Sequence, residues 1–318
     1  MSREDTEKKF IPYEYIKRHA YYEDAEARQY VCKGCGMKLI TDDHTLISEC
    51  FFCGGLLELG DSLSEELRPT KVIPFQISKR KAEKAFKRWF FKLKLSPREF
   101  QIRRKDCKIQ AVYIPVWTFQ MRAQGEAVLH AVKSSKKIEE REKIIETEHY
   151  DLLRQFDLGF SNLFINASKH FETRFLDAAA PYDFTKVKRF SPREIAGYVA
   201  EKYYYTENDL MEEAEKKTRE SLREYILSTV QGYDECRFLE SEYQIAPAEA
   251  EYTWLPVYYA GLSDVDSDYT FFMNGQTGKL AFSPPYSLIK TFVGGGVILA
   301  FAFFALRIII LFLGGPLL

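Results

Sequence analysis

The sequence predicts an α+β fold: a small N-terminal metal-binding ribbon, an α+β body, and one C-terminal transmembrane helix. Three observations predict it. Two CxxCG motifs stand close together near the N-terminus. Short β-branched and aromatic runs then alternate with capped helical patterns. An almost uninterrupted apolar run follows, from Thr291 to Leu313.

Composition sets loose bounds. The 318 residues carry a formal net charge of −1, which points to no class of partner. Residues 1–30 form a charged, Tyr-rich lead-in. Spacing from Tyr13 to Ile16, and from Tyr22 to Ala25 and Ala27, allows an irregular amphipathic helix; a solvated lead-in with a few docked aromatics fits equally.

The strongest chemical signal lies in residues 31–60. Cys32 and Cys35 make one CxxC, Cys50 and Cys53 another, and each pair is followed by Gly, at Gly36 and Gly54. Such turns aim backbone N–H groups at the sulfurs, and Gly tolerates the positive φ they need. Four thiolates close a tetrahedron, so the stretch reads as a zinc ribbon holding one structural Zn²⁺ with no open coordination position. Its apolar residues are few: Val31, Leu39, Ile40, Leu46, Ile47 and Leu56. A unit that small needs metal to offset its chain entropy, while the body is expected to survive without it. His44 falls in the hairpin loop and reads as a surface residue. Cys107 and Cys236 read as small buried hydrophobes.

The α+β body spans 71–286. After the strand-like VIPFQIS, Ser78 can cap a helix with Ala82, Ala85, Phe86, Trp89, Phe90 and Leu93 on one face. A capping box follows at Ser96-Pro97-Arg98-Glu99. Between Lys79 and Lys108 there are 13 Lys/Arg against Glu83, Glu99 and Asp106. Three readings stand for this basic region: a solvated helix face, a nucleic-acid surface, or a face held near anionic lipid. Lys84, Lys87, Arg88 and Lys92 are its candidate anion-binding residues. Two strands follow over residues 109–132, and Pro115 in the first implies an edge or a bulge. The charged stretch 133–148 reads as a long exposed hairpin or loop. Ser191, Pro192 and Glu194 repeat the capping box and predict a helix through Ile195, Tyr198, Val199 and Tyr203. Thr206 and Asp209 start another, running to about Val230 with Leu210, Ala214, Leu222, Tyr225 and Ile226 inward. Asn274-Gly275 to Gly278 make a turn between two strands. TWLPVYY echoes VYIPVWTF, so the body reads as two related halves.

Nothing in the chain supports an enzyme. Gly275-Gln-Thr-Gly278-Lys279 has two residues between its glycines where a phosphate loop needs four. There is no nucleophile elbow, and no histidine sits in a motif.

The residues 291–313 would rise roughly 34 Å as a helix, against a hydrocarbon core of about 30 Å. Arg307 is the one charge within them, placed to snorkel or to meet a partner helix. Lys279 and Lys290 precede the run and no charge follows it, which places the body in the cytoplasm. The N-terminus has no apolar signal segment, and six cysteines fit a reducing compartment.

Several stretches together, namely the CxxCG pair, VIPFQIS, YIPVWTF, INASK, PYDFTKVKRFSPREIAGYVAEKY, WLPVYY and FFMNGQTGKLAFSPPYS, resemble a family of bacterial zinc-ribbon membrane proteins found mainly in Firmicutes. Its members are described as TFIIB-type zinc-ribbon proteins or as relatives of the helicase PriA. The cysteines match at Cys32, Cys35, Cys50 and Cys53. At least one relative is encoded beside a phage-shock-protein-A-like gene. The resemblance therefore implies an adaptor at the cell membrane in the envelope-stress response, with the lipid membrane and a phage-shock-protein-A-like protein as partners. A membrane-tethered nucleic-acid binder is the alternative. Phe51 and Phe52 would favour it if exposed, although the ribbon's charges are mixed.

Overall fold

A computed structural model describes residues 14–23, 27–93, 109–139, 142–260, 270–281, 296 and 299–309. Its frame is a mixed sheet with eleven strands among the described residues. Three of them are far longer than ordinary strands. β8 (Gln110–Glu139) has 30 residues, β9 (Glu142–Asn166) has 25 and β12 (Glu235–Ala260) has 26. At about 3.3 Å per residue, β8 extends roughly 100 Å. β8 lies between β9 and β12, antiparallel to both.

The first half of β8 and the last half of β12 form the centre of the body. They alternate between two cores, as strands buried on both faces must. Tyr113, Trp117, Tyr252 and Trp254 enter one core, and Ile114, Val116, Leu255 and Val257 the other. The echoed segments are therefore cross-strand neighbours, with Pro115 opposite Trp254 and Pro256 opposite Tyr113. Pro115 is not on an edge strand. It sits where β8 exchanges one flanking partner, β11 (Val199–Glu201), for another, β9. A missing N–H costs least at such a step. The other side of β12 is filled piecewise by three short strands: β1 (Ile16–Arg18), β7 (Lys71–Val72) and β13 (Phe271–Asn274). β10 (Lys188–Arg189) adds to β7 as the sheet's outermost strand on that side.

On its far side the sheet continues from β8 through β11 to β4 (Lys38–Asp42), β3 (Ala27–Cys32) and β5 (Leu57–Leu59). The cysteine ribbon is thus an extension of the body sheet. Leu39 and Ile40 are fully buried, Ile40 among the core residues around Trp117. Leu46 and Leu56, expected as ribbon core, are 75 % and 69 % exposed.

Helices cover the faces. α1 (Lys79–Leu93) buries Ala82 and Trp89 against Phe271 and Tyr258. α2 (Thr173–Ala179) covers the second core with Phe175 and Leu176. α3 (Met211–Ser228) starts later than expected, with Leu210 at its N-cap and no side-chain cap; before it lies a turn in which Thr206 Oγ1 and N–H both donate to Asp209 Oδ2, at 2.7 and 2.8 Å. Leu210 and Ala214 enter the first core, and Leu222 and Ile226 pack on Ala123, Ala127 and Leu129. Tyr225, expected inward, is 50 % exposed.

Several expectations change. The lead-in is not helical where it is described. It gives β1 and β2 (Ala20–Tyr21), which pairs β6 (Leu67–Arg68), and it docks Tyr22 into the core. The helix expected from Ser191 stops after one turn, Pro192–Ile195. Gly197 then takes φ +77, and Val199–Glu201 becomes the fully buried strand β11. The helical pattern lost because this segment completes the sheet between β4 and β8, and burial there outweighs local propensity. The charged stretch 133–148 continues the β8–β9 ladder through Glu139–Glu142 as a hairpin. The capping box at Ser96 lies outside the described residues, as does Cys107.

The transmembrane helix and the membrane localisation are corrected. Among the described residues no helix is long and apolar enough to cross a membrane. The helix in this region, α4 (299–309), would rise only about 16 Å, roughly half a hydrocarbon core. Residues 291–295, 297–298 and 310–313 of the expected span lie outside the described residues. In α4, Phe301, Phe304 and Leu306 are exposed and Arg307 stands over the Phe303 ring.

Candidate metal centre

Two knuckles face each other. After β3, Gly36 N–H donates to the Cys32 carbonyl at 3.0 Å; after Cys50, Gly54 N–H donates to the Cys50 carbonyl at 2.8 Å. Gly36 and Gly54 hold φ of +75 and +74, the left-handed geometry expected of CxxCG turns. The turns bring Cys32, Cys35, Cys50 and Cys53 together with all four sulfurs within 4.8 Å of one another. Cys32 and Cys53 Sγ lie 3.4 Å apart, Cys35 and Cys50 Sγ 3.9 Å. A tetrahedron with bonds of about 2.3 Å to sulfur has edges of about 3.8 Å, so this cage could hold a metal ion such as zinc.

The electrostatics suit a cation. Burial pushes the Cys32 thiol up, but N–H groups of Cys35 and Gly34 and the neighbouring thiols outweigh it and bring it down to about 7. Burial pushes the Cys35 and Cys50 thiols up. One thiolate is thus available near neutrality, and a bound cation is what would make the others worth ionising.

The body grips this centre through residues that sequence reasoning left unassigned. His170 Nε2 donates to the Cys35 carbonyl at 3.2 Å, and its Nδ1 is bonded to Glu201 Oε1 at 2.8 Å. Glu201 ends β11 with its side chain only 2 % exposed. The bond to Glu201 pushes the His170 imidazole up, and burial pushes the Glu201 carboxyl up. Phe51 and Phe52 lie against Phe171 and Tyr259, and Phe52 also meets His170 at 5.5 Å. Both rings are half-buried against the body, unlike the exposed pair that base stacking needs. No spacing rule links position 170 to position 35; only the fold does.

His170 and Glu201 therefore orient the first knuckle from outside the ligand set. His170→Ala should speed metal loss to a chelator roughly tenfold, the lower end of outer-shell effects, since the bond is to a ligand's backbone. Glu201→Gln keeps an acceptor for Nδ1–H and should retain most of the protection. Equal release from wild type and His170→Ala would show that the contact is packing alone.

The other candidates lie elsewhere. Lys84, Lys87 and Arg88 are exposed along α1, opposite the face that buries Ala82 and Trp89. Lys92 belongs to the same helix, and its side chain lies outside the described residues. His44 is at the surface, its side chain 87 % exposed. Cys236 is half-buried on β12.

Among known proteins, the chain is 35 % identical over 261 residues to a Bacillus subtilis (strain 168) protein described as uncharacterized protein YdjG. The match covers 82 % of this chain and 76 % of that protein. No family model matches the chain. No solved structure matches it.

Proposed function

We propose that this chain, which belongs to the family of the Bacillus subtilis protein YdjG, is a zinc-stabilised adaptor that docks a protein partner on a rigid β arm. The arm carries the reading. Beyond the register shift at Phe119/Met121, β8, β9 and β12 leave the body as a three-stranded antiparallel ribbon. Residues 121–139 of β8 alone would extend roughly 60 Å. α3 covers one face near Ala123, Ala127 and Leu129, while Gln124, Glu126, Val128 and His130 alternate onto the other. Long paired strands present a large, fixed surface and no chemistry, which suits recognition and not turnover. The zinc ribbon serves stability: four thiolates leave no open position on the metal.

The family resemblance makes a phage-shock-protein-A-like protein the partner to test first. Purified full-length chain, with zinc bound, should retain such a protein from the same organism with a dissociation constant in the micromolar range or tighter. Absence of binding at tens of micromolar protein would overturn this partner.

A further inference from the structure

We infer that a cleft of about 690 Å³ beside β12, on the side that β1 and β7 fill, is a binding site for a small phosphate-bearing molecule. The cleft is lined where β1 gives way to β7 along β12, between Glu251 and Thr253. Five cations converge on it from four separate strands: Arg18 of β1, Arg68 of β6, Lys71 of β7, and Lys188 and Arg189 of β10. Glu249 and Glu251 of β12 are the acids that line it, and Lys188 is paired with Glu194 at 3.1 Å, so positive charge exceeds negative by two.

The acids orient cations more than they oppose an anion. Arg18 Nε is bonded to Glu249 and lies 3.7 Å from Glu251, and Lys71 is bonded to Glu251. The Glu251 side chain is only 8 % exposed. Arg68 Nε donates to the Tyr21 carbonyl at 2.8 Å, and its guanidinium stands over Phe190 at 5.4 Å. Two arginines are thus held before any ligand arrives, which lowers the entropic cost of binding. Arg189 is exposed and has no ion-pair partner among the described residues.

The donor set selects the ligand. Three of the five cations are arginines, whose planar fork fits phosphate oxygens two at a time. The Thr70 hydroxyl and the Gln120 amide line the same space. A volume within the roughly 300–1,000 Å³ of ordinary ligand sites is too large for a bare phosphate ion alone. It suits a phosphorylated metabolite.

Calorimetry on the full chain at about 100 mM salt tests this with pyrophosphate, ATP and sulfate as probes. Saturable binding of pyrophosphate or ATP, one per chain and tighter than sulfate, is the expected result. Arg189→Gln should weaken it roughly tenfold, the loss of one charge-assisted contact. Lys216→Gln, an equal charge change at an exposed position of α3, should leave it unchanged. Circular dichroism checks that both variants fold. No saturable binding up to millimolar probe, equal loss in both variants, or sulfate binding as tightly as pyrophosphate would each overturn the assignment.

Discussion

Replacing Cys32 and Cys50 together by Ser should remove the metal and lower the melting temperature of the whole chain by about 10 °C. One cysteine comes from each knuckle, so no three-thiolate site remains to retain zinc. Both are 2 % exposed, and each serine would put a hydroxyl in a sulfur's buried place. Metal binding to isolated zinc-finger peptides is worth about 10–16 kcal/mol. The body holds β3 and β4 in place here, so only part of that should be lost. A loss of about 3–4 kcal/mol corresponds to roughly 10 °C for a domain of this size. The transition should stay single. β4 is bonded to β11, and Met37, Leu39 and Ile40 are fully buried in the body's cores, so loosening the knuckles loosens the body sheet. A separate ribbon would instead melt early and leave the main transition where it was. Zinc analysis and scanning calorimetry read both effects. Stoichiometric zinc in the double variant would sink the ligand assignment; an unshifted main transition would sink the coupling.

What sequence could show was local. CxxCG turns announce themselves because five residues fix sulfur positions and φ within one loop, and the Thr206–Asp209 turn is equally local. The Asn274–Gly278 turn appears as expected, with Asn274 N–H donating to the Lys279 carbonyl at 2.9 Å and φ +79 at Gly278. Failures came where distant pairing decides. Ile195–Glu201 has a helical start and a helical period, yet Val199 and Ala200 are needed between β4 and β8. Leu46 and Leu56 looked like ribbon core because nothing local says that the body supplies the apolar cover. The four-cysteine cage was legible in its sulfurs and not in its support: His170 and Glu201 reach it from 135 and 31 residues away along the chain from Cys35 and His170, respectively. The basic cleft was invisible for the same reason, its cations being scattered from position 18 to position 189. The apolar run after Lys290 was legible as composition, but the helix described there, 299–309, is too short for the crossing that composition suggested.

The arm offers the sharpest test of the adaptor reading, through one glycine. Gly125 sits in β8 opposite Tyr243 of β12 and Phe156 of β9. A Cβ there would lie 2.3 Å from the Glu242 carbonyl oxygen and 2.5 Å from the Tyr243 Cα. Both neighbours are backbone, so neither can swing aside, and its φ of +156 adds to the difficulty for a branched residue. Gly125→Val should therefore break the β8–β12 ladder locally, at a cost of about 3 kcal/mol, the upper end of ordinary overpacking. The damage should stay in the arm. Zinc content should be unchanged, because the knuckles join the sheet at the body end of β8, through β11 at Val112 and Tyr113 and the core around Ile114 and Val116, away from the arm. Hydrogen exchange should quicken in residues 121–134 and 235–246, and the partner protein should no longer bind. Gly159→Val is the control. Gly159 lies in the same ribbon opposite Arg122, but a Cβ there meets nothing within 4 Å, so it should keep both protection and partner. If Gly125→Val loses its exchange protection and still binds the partner at full strength, the arm is not the docking element. If both variants lose binding with their ribbons intact, the effect belongs to valine on the surface and not to the geometry of the arm.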